Sequence, residues 1–263
     1  MLQDKVAIVT GGGSGIGAAT SKLLAQNGAH VFVLSEKPVS TMQEVCTDIA
    51  AIGGRATALT CDVTDRASIA TALAAVDKAT GRLDVLVNCA GVFFRAPLRE
   101  MPAQQIDLMF AVNTLGAIFM VQAALPLLLK GGSGGAIVNV ASGAAKMGVE
   151  GCAVYAASKA ALVHFTQTVA REFRRSGVRI NSVGPGSVRT PMLGFASDAL
   201  TPEQEQSMAK RTANSLSPYG NPIMEPDDIA QIVLFLCSDA ARALQGSFIL
   251  ADQGFSAAMP APG

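Results

Sequence analysis

Tyr155 and Lys159 stand four residues apart in the run YAASK, in a chain that holds only two tyrosines. On a helix that spacing puts two side chains on one face, with β-carbons about 5–6 Å apart. A free phenol titrates near pH ~10, too high to exchange protons readily at neutrality. Bringing it to about 7 takes roughly 4 kcal/mol of preference for the phenolate. A cation at about 4 Å in an effective dielectric of about 20 supplies a term of that size. Tyr155 is therefore a candidate acid and base tuned by Lys159. The same spacing is common on solvated helix faces, so the rest of the chain has to decide.

A second chemistry-bearing run lies near the start. TGGGSGIG, residues 10–17, follows an apolar β-branched stretch and opens a segment of helical period. Glycines let a backbone approach a pyrophosphate, and a helix start offers unpaired N–H groups with a partial positive charge. Gly11, Gly15 and Gly17 form G-x-x-x-G-x-G, without the Lys-Ser/Thr of a mononucleotide loop. A glycine cluster by itself is often only a turn. Between the first strand and first helix of an α/β sheet it marks a dinucleotide site.

The elements that must position these residues alternate along the chain. Strands are expected at Lys5–Thr10, His30–Leu34, Ala56–Thr60, Leu83–Asn88, Ala136–Val140, Val178–Val183 and Ser247–Leu250, nearly continuous in apolar character as in parallel strands covered on both faces. Helices are expected at Ile16–Asn27, with Gly28 as its stop, and around Ala103–Leu129 and Val154–Arg175. This alternation predicts an α/β doubly wound, Rossmann-type parallel sheet of about seven strands with helices on both faces, in a single domain over 1–263. Gly131–Gly135 reads as a helix-to-strand turn. Ser187–Asp228 breaks the alternation and carries four prolines between Thr190 and Pro222, with a helical stretch near Glu203–Arg211. An insertion of that length reads first as a lid over a site, and otherwise as a subunit contact.

Bulk properties narrow the partners. Half of the 263 residues are apolar and only 15% are charged, with 20 basic against 20 acidic and a net charge of zero. That balance argues against an electrostatic grip on nucleic acid or anionic membrane. No apolar run reaches the roughly 18 residues of a spanning helix, and the first residues lead straight into a strand without the pattern of a signal peptide. The five cysteines are scattered without a C-x-x-C pair, as in a reduced cytoplasmic protein, and no metal site is expected. His30 and His164 read as ordinary structural residues.

Taken in order, the motifs resemble those of the short-chain dehydrogenase/reductase family in its single-domain form, over nearly the whole chain. TGGGSGIG is similar to its cofactor loop, with Gly11, Ser14, Gly15, Ile16 and Gly17 in place. CDV at 61–63 resembles the adenine-contacting stretch, which implies Asp62 for the adenine amino group and Val63 for ring packing. NCAG at 88–91 corresponds to the usual Asn-Asn-Ala-Gly, carrying over Asn88, Ala90 and Gly91, while Cys89 departs from the pattern and puts a sheet-steadying hydrogen bond in doubt. VNTLG supplies Asn113, VASG supplies Ser142, and YAASK follows 13 residues later. VGPGSVRTPM places Pro185, Gly186, Val188 and Thr190 in the segment that lines the nicotinamide. LADQG at 250–254 resembles the closing Asp-Gly-Gly, with Gln253 as a departure of little expected consequence.

The resemblance implies a hydride-transfer oxidoreductase interconverting a secondary alcohol and a ketone. Tyr155 would exchange the alcohol proton, Ser142 would hold the substrate oxygen, Lys159 would lower the Tyr155 pKa and bind the nicotinamide ribose, and Asn113 would hold a water linking Lys159 to solvent. A homotetramer is implied as well; weak support from the residues is that the helices Ala103–Leu129 and Val154–Ala170 are apolar around much of their circumference. The competing readings are a non-catalytic dinucleotide sensor or scaffold, and an epimerase or dehydratase using bound dinucleotide. Candidate pocket residues Phe93, Phe94, Lys146, Met147, Val149, Met192, Leu193 and Phe195 are mostly apolar, which points to a hydrophobic or cyclic substrate. NAD is expected over NADP. Glu36 lies 21 residues after Gly15 at the end of the second strand, where an acid binds the ribose 2′-hydroxyl and repels a 2′-phosphate. The family's usual acidic position falls on Ser35, and Lys37 is the one nearby cation that answers a phosphate.

Overall fold

The computed structural model describes residues 1–130, 134–195 and 223–257. Its strands are β1 (Val6–Thr10), β2 (His30–Ser35), β3 (Arg55–Thr60), β4 (Val85–Asn88), β5 (Ala136–Val140), β6 (Arg179–Pro185) and β7 (Phe248–Ala251). All pair in parallel in the order β3-β2-β1-β4-β5-β6-β7, so the expected doubly wound sheet is present. The helices are α1 (Gly15–Gln26), α2 (Gln43–Ala51), α3 (Arg66–Thr80), α4 (Ala103–Phe110), α5 (Ala117–Lys130), α6 (Ala153–Glu172) and α7 (Pro226–Cys237).

Strand residues alternate between two cores because successive side chains point to opposite faces. Ala7 and Val9 of β1 join Val31, Val33, Val85, Val87 and Val138 under α1, α2 and α7, through Leu24, Ile49 and Val233. Val6 and Ile8 join Phe32, Leu86 and Ile137 under α3, α5 and α6, through Ile69, Met120 and Val169. With both faces covered, the strands need no polar face, which explains their continuous apolar character.

Local signals set the helix ends. Asp65 caps α3 by accepting from the Ala67 N–H at 2.9 Å, and the left-handed Gly81 ends it. Glu225 and Asp228 form a capping box at the start of α7, with Pro226 in its first turn. The expected helix over 103–129 is continuous but not uniform. Residues Ala111–Gly116 form a π-helical turn between α4 and α5. Contrary to the expectation that no segment reaches spanning length, residues 103–130 are long and apolar enough to cross a membrane by length and composition; Met120, Val121, Ala124 and Leu128 of that helix are buried within the second core.

Because α1 and β2 lie on one side of β1 while β4 and β5 lie on the other, the strand order reverses beside β1. Open α/β sheets bind ligands in the crevice at the carboxyl ends of the strands at such a point. The opposite end of the sheet is closed by ionic contacts, with buried Asp84 accepting from the Val6 N–H at 2.9 Å and pairing with Lys5 and Arg82. The insertion expected at 187–228 leaves and re-enters through a short stitch. Arg189 N–H donates to Met224 O and Met224 N–H to Ser187 O, both at 2.9 Å, and Arg189 pairs with Glu225 at 3.0 Å. Its helical stretch at 203–211 lies outside the described residues.

Candidate functional site

Three elements converge at the carboxyl end of β5. Ser142 follows the strand in extended conformation, and its hydroxyl accepts from the Ala144 N–H at 3.2 Å, capping a 3-10 turn over Gly143–Ala145. Tyr155 and Lys159 project from α6, one turn apart. A hydrogen bond between the Ser142 and Tyr155 side chains joins the two elements. Lys159 is buried, and its Nζ donates to Val140 O, the last residue of β5, at 2.9 Å. Asn113 comes from the π-turn. Its Oδ1 accepts from the Val92 N–H at 2.8 Å, and its Nδ2 donates to Val92 O at 3.0 Å and Ser158 Oγ at 3.1 Å. All four expected residues therefore lie around one crevice.

Two expectations of detail change. The Tyr155 phenol is held above its ordinary range, not below it, with burial as the main cause and the Ser142 hydrogen bond acting the other way. Lys159 is instead pushed down to about 8, again by burial. Desolvation disfavours the charged form of each, and it is the largest influence on both. The Asn113 amide also has both protons engaged, so a water held by this residue must donate to one of its carbonyl oxygens.

The glycine loop fits a diphosphate. A β-carbon at Gly11 would come within 2.9 Å of Ala90 Cα, and one at Gly17 would strike the Gly11 carbonyl, so the loop can fold this tightly only with glycines at both. Ser14 is extended and caps nothing, and the first turn of α1 carries no acid. The N–H groups at that helix start are thus left for an anion. Asn88 donates to Asn139 Oδ1 at 2.8 Å, while its own Oδ1 is buried without a partner at the crevice floor. Thr190 lies against Gly15, its Cγ2 3.0 Å from where a β-carbon would stand. Gly186 and Pro185 close the far wall beside Asp252, and buried Val188 bridges to Met224.

At the adenine end, Asp62 Oδ1 accepts from both the N–H and the hydroxyl of Thr64, at 2.8 and 2.7 Å, while Val63 is buried against Gly116 of the π-turn. Glu36 and Lys37 are exposed beyond β2. The Ser35 hydroxyl donates to the Glu36 carboxylate at 3.3 Å and accepts from the Lys37 N–H at 3.2 Å.

The pocket candidates divide. Phe93 meets Tyr155 edge to face at 4.8 Å, and Met192 reaches over Gly91 toward Lys159. Met147 lies over Gly143. Phe94 is half-buried and packs against Met101, Met109 and Val154, a cluster that Tyr155 also touches. Phe195 sits under the Arg189 guanidinium at 5.3 Å. Leu193 is exposed, as is Lys146.

Sequence reasoning missed the residues that bolt these parts together. Ser158 Oγ accepts from Asn113 and donates to Tyr155 O at 2.8 Å, and Thr114 Oγ1 donates to Ser158 O at 2.9 Å. Thr10 Oγ1 accepts from the Cys89 and Ala90 N–H groups, each at 3.1 Å, which anchors the segment where Cys89 departs from the family pattern. Burial pushes the Cys89 thiol up to about 11, so it stays protonated. A hydroxyl inside a known motif was the only available signal for Ser158.

The family model described as short chain dehydrogenase matches residues 5–200. The chain is 35% identical to the 3-oxoacyl-[acyl-carrier-protein] reductase of Thermotoga maritima, over 96% of this chain and 98% of that one. It is 36% identical to the D-threitol dehydrogenase of Mycolicibacterium smegmatis, over 97% and 94%. Among solved structures, a dehydrogenase/reductase from Sinorhizobium meliloti superposes with a TM-score of 0.86 at 34% identity, covering 97% of this chain and 96% of that one. With the glycine loop, the serine and the Tyr–Lys pair in matching places, this chain belongs to the short-chain dehydrogenase/reductase family of oxidoreductases.

Proposed function

We propose that the chain is an NAD-dependent oxidoreductase interconverting a secondary alcohol and a ketone, built as one catalytic domain. The observation that carries this reading is the placement of Ser142, Tyr155 and Lys159 at the end of β5, beside a glycine loop shaped for a diphosphate. Bound there, the nicotinamide dinucleotide supplies the hydride acceptor or donor.

The chain's own residues manage the proton and the charge. The Tyr155 phenolate takes the alcohol proton in oxidation, and the resulting phenol returns it in reduction. Ser142, fixed by Ala144 and bonded to Tyr155, holds the substrate oxygen and stabilises the charge that develops on it. Lys159, anchored on Val140 O, offers its remaining protons to the cofactor ribose and places positive charge beside the phenol. Ser35 and Glu36 at the end of β2 support the choice of NAD, because a carboxylate there accepts from a ribose hydroxyl and repels a phosphate. Five free cysteines accord with a cytoplasmic setting.

The test is a spectrophotometric assay of a panel of cyclic, aromatic and steroidal secondary alcohols with free NAD. One equivalent of reduced coenzyme should form per alcohol consumed. Tyr155→Phe should retain coenzyme affinity within about threefold and lose roughly 10²–10⁴-fold in kcat, the range for a positioned acid–base group. Near-normal turnover in that variant would remove the mechanism.

A further inference from the structure

We propose that Arg95 binds an acidic group on the substrate, so that the substrate is a secondary alcohol or ketone carrying a carboxylate on an apolar body. This rests on the function proposed above and adds the substrate's charge to it.

The segment after β4 presents alternate residues to two sides. Val92, Phe94 and Ala96 pack into the cluster formed by Met101, Met109 and Val154. Tyr155 packs against the same cluster, and the residues between, Phe93 and Arg95, lie outside it. Phe93 lies edge-on to the Tyr155 ring at 4.8 Å. Arg95 crosses Gly151, four residues before Tyr155, and a β-carbon there would stand 3.1 Å from Arg95 Cγ and 3.3 Å from Nε. Any larger residue at 151 would displace the arginine stem, and the left-handed φ of +74° favours glycine there as well.

The segment is held at both ends to the catalytic parts. Val92 exchanges two hydrogen bonds with Asn113, at 2.8 and 3.0 Å, and the Ala96 N–H donates to Gly151 O at 3.0 Å. The stem of Arg95 is thus laid down against Gly151, just ahead of α6 and four residues before Tyr155, and the residue is exposed. No carboxylate neutralises it among the described residues. Glu150, adjacent to Gly151, is exposed yet forms no ion pair, whereas nearby Arg99 does pair, with Glu100 at 3.0 Å. A guanidinium with a fixed stem and unused paired donors is suited to a carboxylate, which it binds with two parallel hydrogen bonds. The aromatic wall at Phe93 and the methionines at 147 and 192 leave the body of such a substrate apolar.

The experiment compares 3-hydroxycyclohexanecarboxylate with its methyl ester, in wild type and in Arg95→Met, which keeps an unbranched apolar stem. The acid-to-ester ratio of kcat/KM should fall at least tenfold in the variant, through KM, and Arg95→Lys should recover part of it. Calorimetry of cyclohexanecarboxylate with the NAD-saturated protein gives a readout without turnover. Binding is expected in wild type and should weaken at least tenfold in Arg95→Met, with NAD affinity unchanged. A ratio that stays within twofold, or no carboxylate binding by wild type, overturns the inference while leaving alcohol oxidation standing. If wild type oxidises no alcohol at all, the proposed function fails, and the calorimetric result alone decides the role of Arg95.

Discussion

Lys159 is a cation that the fold buries to 4% exposure and supplies with a bond to Val140 O. Its pKa falls to about 8 from 10.5, so between those values the unfolded chain binds more protons than the folded one. Stability should therefore rise with pH across that window, by up to about 3 kcal/mol for this group. Urea unfolding at pH 7.5 and 9.5 checks this, with Lys159→Met as the reference. Cys61 and Cys237 act alike in both proteins, and Cys89, whose pKa Lys159 holds down, costs the variant no less as pH rises, so wild type should gain relative to the variant; equal slopes would show that the lysine is not desolvated. The sequence disclosed Tyr155 and Lys159 through their spacing, but not the direction in which burial moves the phenol, because desolvation depends on what α6 packs against. It also hid the strain at Gln253, which adopts a left-handed φ of 51° with its Oε1 buried and unpaired. Coenzyme choice belongs to this scale too. Glu36→Ala should raise kcat/KM for NADP relative to NAD by at least tenfold; an NADP preference in wild type, or no relative gain in the variant, would show that Glu36 does not select.

At the scale of elements, the proposed catalytic arrangement includes a defect in a helix. The π-turn at Ala111–Gly116 carries Asn113, whose side chain bonds the Val92 backbone from it. Such turns recur at functional sites because they re-aim one side chain without ending the helix. Ser158 then ties that turn to α6, through Asn113 and Thr114 on one side and Tyr155 O on the other. Ser158→Ala removes an acceptor and leaves a buried amide proton of Asn113 unpaired, at a cost of about 1–3 kcal/mol. The expected result is a lower unfolding midpoint in urea together with a kcat loss larger than the change in KM. A variant as stable and active as wild type would mean that the bond is incidental. The apolar period marked 103–129 as helical, yet no period distinguishes a π-turn inside a helix, since it adds one residue of slack that side-chain packing determines. Strand positions were easier to read, because burial on both faces leaves continuous β-branched runs.

Across the whole molecule, the surface that remains after folding is weakly charged and locally apolar. Net charge is zero, so copies do not repel one another at neutral pH. The helix over 103–130 leaves Leu108, Leu115 and Leu129 exposed by 41%, 44% and 51% while its other side is embedded in the sheet's core. Single exposed leucines are ordinary, but three along one helix of a chain with so few charges favour burial against another subunit. Closed symmetric assembly is the usual way to cover such a face, and the family resemblance implies a homotetramer. Light scattering at micromolar concentration should therefore give about four times the 26.9 kDa chain mass. The variant Leu108→Lys with Leu115→Lys should shift the population to smaller species while keeping the far-ultraviolet circular dichroism of the folded chain. A monomer mass for wild type at that concentration would show that these leucines face solvent in the working protein.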